Sequence, residues 1–255
     1  MAESETDAGK MSFLEHLGEL RIRIVWSMVA AGVGLIVSLY FTPRIMRWLA
    51  RPLTSLKTEL VFTTPTEAFW TYMKVAMVTG LFIAMPVILW QVWAFVAPGL
   101  HKHERKYAAP FVIIGSLLFL GGGAFALLII VPYASTFLVT FGQEQGLKAM
   151  ISVASYVDFV TKFTLAFGLV FELPVVLTLL SLIGVVTPEF LSKNRKYAIL
   201  GNFVIAAVLT PTPDIVNQSL MAGPLILLYE VGIISSRLVR RRARKPAATS
   251  AEGSA

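Results

Sequence analysis

The chain has 255 residues, of which 56% are apolar and 15% charged, and it contains no cysteine. This composition excludes an intrinsically disordered chain, a disulfide-stapled secreted domain and most soluble enzymes. The net charge of +7 would by itself fit nucleic acid, an anionic membrane surface or an acidic partner. Because the apolar residues are concentrated in long uncharged runs, the sequence favours a membrane protein with several spans.

The N-terminal segment, residues 1–23, carries acidic residues where a cleavable signal peptide would have a basic region, so we expect it to stay in the mature chain. Ser12 and Glu15 have the spacing of a capping box, which predicts a short amphipathic helix over residues 13–23. We expect this cytoplasmic helix to lie along the inner membrane surface before the chain turns into the bilayer.

Six segments are predicted to form the transmembrane domain, residues 24–236, because a helix needs about 20 apolar residues to cross a bilayer. The only charged residues within them are Glu172 in the fourth and Glu230 in the sixth. In chain order the six segments are 24–43, 75–101, 107–143, 163–188, 197–213 and 215–236.

The fifth and sixth helices are predicted to be short and to form a tight hairpin. Residues 197–209 would make a helix of about 20 Å, against a hydrocarbon core of about 30 Å. Pro211 and Pro213 follow and cannot continue a helix.

The positions of Lys and Arg predict that both termini are cytoplasmic. With that orientation, 15 of the 22 basic residues lie inside, six of them between Arg237 and Lys245. We expect residues 237–255 to be a basic, disordered tail that touches anionic headgroups. No aromatic stacking pattern accompanies this run, so nucleic-acid binding is not expected. The first outer connection is more basic than the rule predicts, with Arg44, Arg47, Arg51, Lys57 and Lys74.

Sequence motifs for catalysis are absent. There is no phosphate loop, dinucleotide fingerprint, His-Glu-x-x-His pair or Gly-x-Ser-x-Gly elbow. Three dispersed histidines, at positions 16, 101 and 103, do not have the spacing of a metal site. We therefore expect a protein that is not an enzyme and holds no cofactor or metal.

Two carboxylates face the same compartment in this topology. Glu19 lies where the first span begins, and Glu104 lies between spans two and three. Both have local partners, since Glu19 and Arg23 are i,i+4 neighbours and Lys102 and Arg105 flank Glu104. On spacing alone, local pairing is the favoured interpretation.

The sequence around these carboxylates resembles the TatC family, the membrane receptor subunit of the twin-arginine protein translocase. The resemblance rests on residues 13–21 (FLEHLGELR) and on residues 86–100 (PVILWQVWAFVAPGL), which run into the KHER of residues 102–105. Further matches are residues 166–168, 171–174, 209–211 and 229–232, with Asp214 and Gln218. Together they extend from about Ser12 to Arg237.

The resemblance implies an all-α, six-helix receptor with a concave face in the inner membrane of a prokaryote. Such receptors recognise the Arg-Arg motif of signal peptides on folded cargo, assemble with single-span TatA-type and TatB-type partners and with further copies of themselves, and use the protonmotive force. The two guanidinium groups of an Arg-Arg motif are bound best by carboxylates, which accept paired hydrogen bonds from them. The signal-peptide contacts implied for this chain are Glu19, Arg21, Phe95, Lys102, His103 and Glu104, and Pro52 is implied as functional in the first outer loop.

Partner docking is expected at Glu172, Asp214 and Gln218. Glu172 lies nine residues into the fourth predicted span, about 13 Å along a helix, where an ionised side chain facing lipid is costly. The alternative is an internal contact, for example with a carbonyl that Pro174 frees. The turn before Asp214 has one additional residue, a threonine, relative to the family's Leu-Thr-Pro-Pro-Asp pattern.

The rival function is an ion-coupled transporter or channel. Such proteins usually bring polar residues from several spans together near the midplane and show repeat symmetry. Here only one span clearly carries a deep charge, which favours the receptor.

Overall fold

The computed structural model describes residues 13–55, 60–99, 108–209 and 215–249. These residues form ten α-helices and one pair of two-residue parallel strands. The helices are α1 (Phe13–Leu49), α2 (Arg51–Ser55), α3 (Glu67–Val96), α4 (Ala108–Phe125), α5 (Val131–Glu144), α6 (Val153–Phe171), α7 (Leu173–Leu182), α8 (Pro188–Lys193), α9 (Arg195–Leu209) and α10 (Ile215–Thr249). The strands are β1 (Leu60–Val61) and β2 (Ile151–Ser152).

Six helical segments confirm the predicted membrane spans. Five are long and apolar enough to cross a bilayer by themselves: Glu15–Leu53, Glu67–Val96, Ala108–Glu144, Val153–Leu182 and Met221–Arg240. The sixth, α9, has 15 residues and a length of about 22 Å, so it is short as predicted.

Helix packing follows an open arc. α1 packs on α3, α3 on α4 and α6, α4 on α6, and both α7 and α9 on α10. The largest apolar core lies in the middle of this arc, where Phe163 and Phe167 of α6 and Leu225 of α10 are fully buried. β1 and β2 pair Leu60 with Ile151 at one end of the molecule, where α1 and α5 end and α3 and α6 begin. We call this the strand-pair end.

Two glycines set the contact between α1 and α3. A Cβ at Gly34 would lie 2.3 Å from the carbonyl oxygen of Gly80, so the two backbones touch at this crossing. One turn further along, the hydroxyl of Ser38 donates to the carbonyl of Ala76. Small residues and hydroxyl contacts are the usual means of close helix packing in membranes.

The separate surface helix predicted for residues 13–23 is instead the start of α1, which runs unbroken through residue 24 into the span. Its only proline is Pro43, near the far end. With no helix breaker at the expected turn, the Glu19–Arg23 pair and the apolar residues after it propagate one helix.

The fourth span begins ten residues earlier than predicted, at Val153, and is interrupted at Glu172 between α6 and α7. The prediction placed Lys162 in a loop, whereas it lies within α6. Glu172 is therefore about 28 Å from the start of α6 and about 15 Å from the end of α7 at Leu182, which corrects the depth of 13 Å.

The sixth helix is longer than predicted. α10 has 35 residues, so the expectation of a short helix does not hold. The tail predicted to be disordered from Arg237 is helical as far as Thr249. Arg, Lys and Ala are good helix formers, so the chain continues the helix beyond its apolar stretch.

Candidate functional site

The first candidate site lies where the N-terminal turns of α1 pack against the C-terminal turns of α3. The guanidinium of Arg23 donates to Glu19 Oε1 at 3.0 Å and to Gln91 Oε1 at 3.2 Å. The ring of His16 stacks on Phe95, with centroids 4.3 Å apart and planes 17° apart. We call these five residues the α1–α3 cluster.

Local pairing of Glu19 with Arg23, the favoured interpretation from spacing, is present in the structure. It occupies only one carboxylate oxygen. Glu19 Oε2 is covered and has no hydrogen-bond partner among the described residues, and the same holds for Nε of Arg23. The Glu19 side chain as a whole is 17% exposed. Its covered second oxygen is an acceptor without a partner, and a guanidinium from outside would reach it only after the neighbouring side chains shift.

An apolar cleft of about 340 Å³ runs from this cluster along the seam between α1 and α3. Arg23, Gln91 and Phe95 line one end of it. The rest of its wall is mostly aliphatic and extends to Ala31 on α1, about 12 Å from Arg23 along the helix. The site thus combines a polar mouth with an apolar body.

The remaining predicted signal-peptide residues are placed as follows. Arg21 is exposed and, two positions from Glu19, lies on a different face of α1, so the structure does not bring it to the cluster. Lys102, His103 and Glu104 lie outside the described residues, as does Asp214. Pro52 is half-buried in α2.

Glu172 lies between α6 and α7. Pro174 has no amide hydrogen, and the helix restarts at this point through hydrogen bonds from the Val175 and Val176 amides to the Glu172 carbonyl. Glu172 is 6% exposed, and neither of its carboxyl oxygens has a hydrogen-bond partner among the described residues. The predicted alternative, an internal contact with a freed carbonyl, is therefore not present there.

The surroundings of this carboxyl are small and apolar. A Cβ at Gly115 of α4 would lie 3.2 Å from Glu172 Oε2 and 2.7 Å from the Leu89 side chain of α3. The carboxyl thus lies over the bare backbone of α4, beside Leu89. A buried acid without a partner in a membrane span is an unusual and costly arrangement, and it is typical of functional positions.

Gln218 has an internal role. Its side-chain amide donates to the Phe203 carbonyl at 3.1 Å and so connects α10 with α9. Glu172 faces α4, whereas Gln218 faces α9, so these two of the three residues predicted to dock partners lie in different helix contacts.

Sequence reasoning missed Gln91 and His16 as members of the α1–α3 cluster. Both lie in the segments that carried the family resemblance, but a single sequence contains no signal that these two segments face each other. Metal binding has no candidate: among the described residues, no three His, Asp or Glu side chains come together.

Comparisons with known proteins agree on one family. A family model for the Sec-independent protein translocase protein (TatC) matches residues 15–224. A protein of that name from Desulforapulum autotrophicum is 43% identical and covers 96% of this chain and 91% of its own. One from Aquifex aeolicus is 40% identical, with coverages of 92% and 98%. A crystal structure of the twin-arginine translocase receptor TatC superimposes with a TM-score of 0.75 at 40% identity, covering 88% of this chain and 99% of that one.

Proposed function

The chain belongs to the TatC family of Sec-independent protein translocase proteins, and from this premise we propose that it is the signal-peptide receptor of a twin-arginine translocase. In this proposal it lies in the cytoplasmic membrane of a prokaryote with both termini inside. It binds the Arg-Arg motif of folded cargo proteins and is not an enzyme.

The α1–α3 cluster and its cleft carry the proposal. A signal peptide presents a basic region followed by an apolar stretch of about 7–15 residues. The unpartnered Oε2 of Glu19, next to Arg23 at the mouth of the cleft, suits a guanidinium that displaces the side chains covering it. The aliphatic wall suits the apolar stretch that follows. One ligand of this polarity matches both halves of the site.

Glu104 supplies the second carboxylate in this proposal. It follows Phe95 by nine residues, a length of chain that reaches at most about 30 Å when extended. Phe95 itself is in the cluster. Lys102 and His103 would flank this acid, and Arg21 would lie at the edge of the site.

Partner assembly is proposed at Glu172. Its unpartnered carboxyl would bind a polar side chain on a TatA-type or TatB-type single-span helix once Leu89 moves aside. Asp214 and Gln218 would contribute at the α9–α10 turn, and Pro52 in the first loop. Self-association and export driven by the protonmotive force belong to the same proposal.

Binding of a synthetic Arg-Arg signal peptide to the purified chain tests the receptor role. We expect an Arg-Arg to Lys-Lys peptide to bind more weakly, because Lys cannot make the paired contact. A charge-assisted hydrogen bond is worth about 1.5–3 kcal/mol, so Glu104→Gln should weaken binding about tenfold or more. Glu19→Lys and Glu104→Lys should weaken peptide binding further, because they reverse the charge at the site.

Glu144→Lys is the matched control, since Glu144 is exposed at the far end of α5. It makes the same charge change and should leave peptide affinity unaltered. If the Glu19→Lys and Glu104→Lys receptors insert normally and still bind the peptide as the parent does, the receptor site is not here.

A further inference from the structure

A second cleft, at the strand-pair end, is not used by the proposed receptor site. It has a volume of about 430 Å³ and lies between α1, α3, α4 and α6. Its wall is almost wholly apolar, and its polar side chains are threonines. Two of these, Thr161 and Thr164, donate their hydroxyl hydrogens to carbonyls of their own helix. A molecule bound in the cleft therefore does not have to accept a hydrogen bond from them.

The cleft continues toward the membrane surface. A neighbouring cavity of about 290 Å³ shares Trp48, Leu49, Leu127 and Leu128 with it and ends at Arg51. Because they share these four residues, we treat the two cavities as one groove with an apolar body and, of the residues that the structure describes, one cation, Arg51, at its mouth. We call it the Arg51 groove.

The mouth of the Arg51 groove lies at headgroup depth. Pro132 lines the same cavity as Arg51 and is 24 residues after Ala108, the start of α4. That separation is about 36 Å of helix, just more than a hydrocarbon core of about 30 Å. The charged residues Arg105 and Lys106 precede Ala108 in the sequence and fix the other membrane surface.

The charged side chains described around the mouth of the Arg51 groove are positive. Arg51 is exposed, and its guanidinium forms no hydrogen bond with a described residue. Arg44 and Arg47 are exposed on the last two turns of α1. Among the described residues, no acidic side chain lines either cavity. The nearest acid on α6, Asp158, is paired with Lys74. These arginines are three of the five basic residues that the positive-inside rule left unexplained in the first connection.

We propose that the Arg51 groove binds an anionic phospholipid, with one acyl chain in the apolar body and the phosphate on Arg51. A cavity of about 150 Å³ holds a six-carbon ring, so about 430 Å³ takes on the order of 15 carbons, the length of an acyl chain. One turn of a helix about 10 Å wide already occupies about 400 Å³. The groove is therefore too small for a spanning helix of a partner.

Native mass spectrometry of the detergent-solubilised chain with added phosphatidylglycerol or phosphatidylethanolamine tests this proposal. We expect tighter binding of phosphatidylglycerol. A basic residue near an anionic headgroup contributes about fivefold in affinity, so Arg51→Gln should remove about that factor for phosphatidylglycerol. The loss for phosphatidylethanolamine should be smaller, because its ammonium offsets the charge of its phosphate. Lys148→Gln is the matched control, because Lys148 is an exposed cation that does not line the groove.

A second pair of variants tests the acyl-chain site. Ala124 lines the groove and is exposed toward it, so Ala124→Trp should fill it and reduce binding of both lipids. Ile129→Trp, on the lipid-exposed face of the same helical segment outside the lining, should not.

Phosphatidylglycerol with a photoreactive acyl chain should label residues near Leu128. Equal affinity for the two lipids, an Arg51→Gln effect no larger than that of Lys148→Gln, or a photoreactive residue at position 128 that captures a partner polypeptide instead of lipid would each overturn the proposal.

Discussion

The carboxylate of Glu67 accepts a hydrogen bond of 2.8 Å from the backbone amide of Ala154, a residue 87 positions later in the chain. Its other oxygen accepts from the amide of Thr63 at 2.6 Å and from the hydroxyl of the same residue at 2.7 Å. The side chain is 8% exposed. One acid therefore joins the start of α3, the loop before it and the start of α6, next to the strand pair.

Replacing Glu67 should loosen the strand-pair end. Glu67→Ala leaves amides of Thr63 and Ala154 without their acceptor, so we expect an unfolding temperature several degrees lower and faster protease cleavage between α2 and α3. Glu67→Gln keeps one carbonyl acceptor, so its unfolding temperature should lie between those of the parent and the Glu67→Ala variant. Differential scanning fluorimetry in detergent and limited proteolysis measure these effects. Glu144→Ala is the control, and a Glu67→Ala variant as stable as the control would contradict the prediction.

Glu172 should separate partner recruitment from signal-peptide binding. Glu172→Gln keeps hydrogen-bonding capacity and should be mild, whereas Glu172→Ala should reduce crosslinking to TatA-type or TatB-type helices and leave peptide affinity intact. Site-specific crosslinking in membranes, together with the peptide-binding assay, makes the measurement. If the Glu172→Ala protein is stable and recruits partner helices as the parent does, only a structural role for this acid is left.

The number and order of the membrane spans could be predicted because long apolar runs are a property of local sequence. Their ends could not, because the prediction placed every charged residue except Glu172 and Glu230 outside the spans. Lys74 and Asp158 pair with each other from within α3 and α6, so charges that neutralise one another lie inside helices. Lys162 is exposed on α6, where a long side chain can extend its ammonium to the interface.

The candidate site was predictable only in part, because some of its residues are brought together by contacts between segments far apart in the sequence. The resemblance selected Glu19 and Phe95, each within a recognisable motif. The Arg23–Gln91 hydrogen bond spans 68 positions, and only the packing of α1 on α3 creates it.

Both termini should be cytoplasmic, and the absence of cysteine makes this directly measurable. Single cysteines introduced inside should react with a membrane-impermeant maleimide only after the membrane is opened, whereas those outside should react in intact cells. The inside positions are Lys102, Ser192 and Ala251, and the outside positions are Ser55, Gln145 and Thr212. Reversed labelling at any one position would refute the orientation.

The contact of Gly34 with Gly80 should tolerate no side chain. A Cβ at position 34 meets backbone at 2.3 Å, so Gly34→Val must push α1 away from α3, at a cost of about 1–3 kcal/mol or more. Gly32→Val on the same helix meets nothing within 4 Å and is the matched control. Thermal unfolding followed by size-exclusion chromatography should show a lower midpoint for the Gly34→Val variant only; equal midpoints would mean that the helices adjust freely.

The Gly34–Gly80 contact and the Glu67–Ala154 hydrogen bond also differ in the stage of synthesis at which they can form. The Gly34–Gly80 crossing needs only the chain as far as α3, which ends at Val96. The Glu67–Ala154 bond and the strand pair beside it wait for another 58 residues, about 3–12 s at a synthesis rate of about 5–20 residues per second. During that interval α1 and α3 already form a hairpin while the loop between them has an unpaired strand edge. A newly made chain therefore differs from a finished one at this loop, where Leu60 and Val61 do not yet have their partner strand.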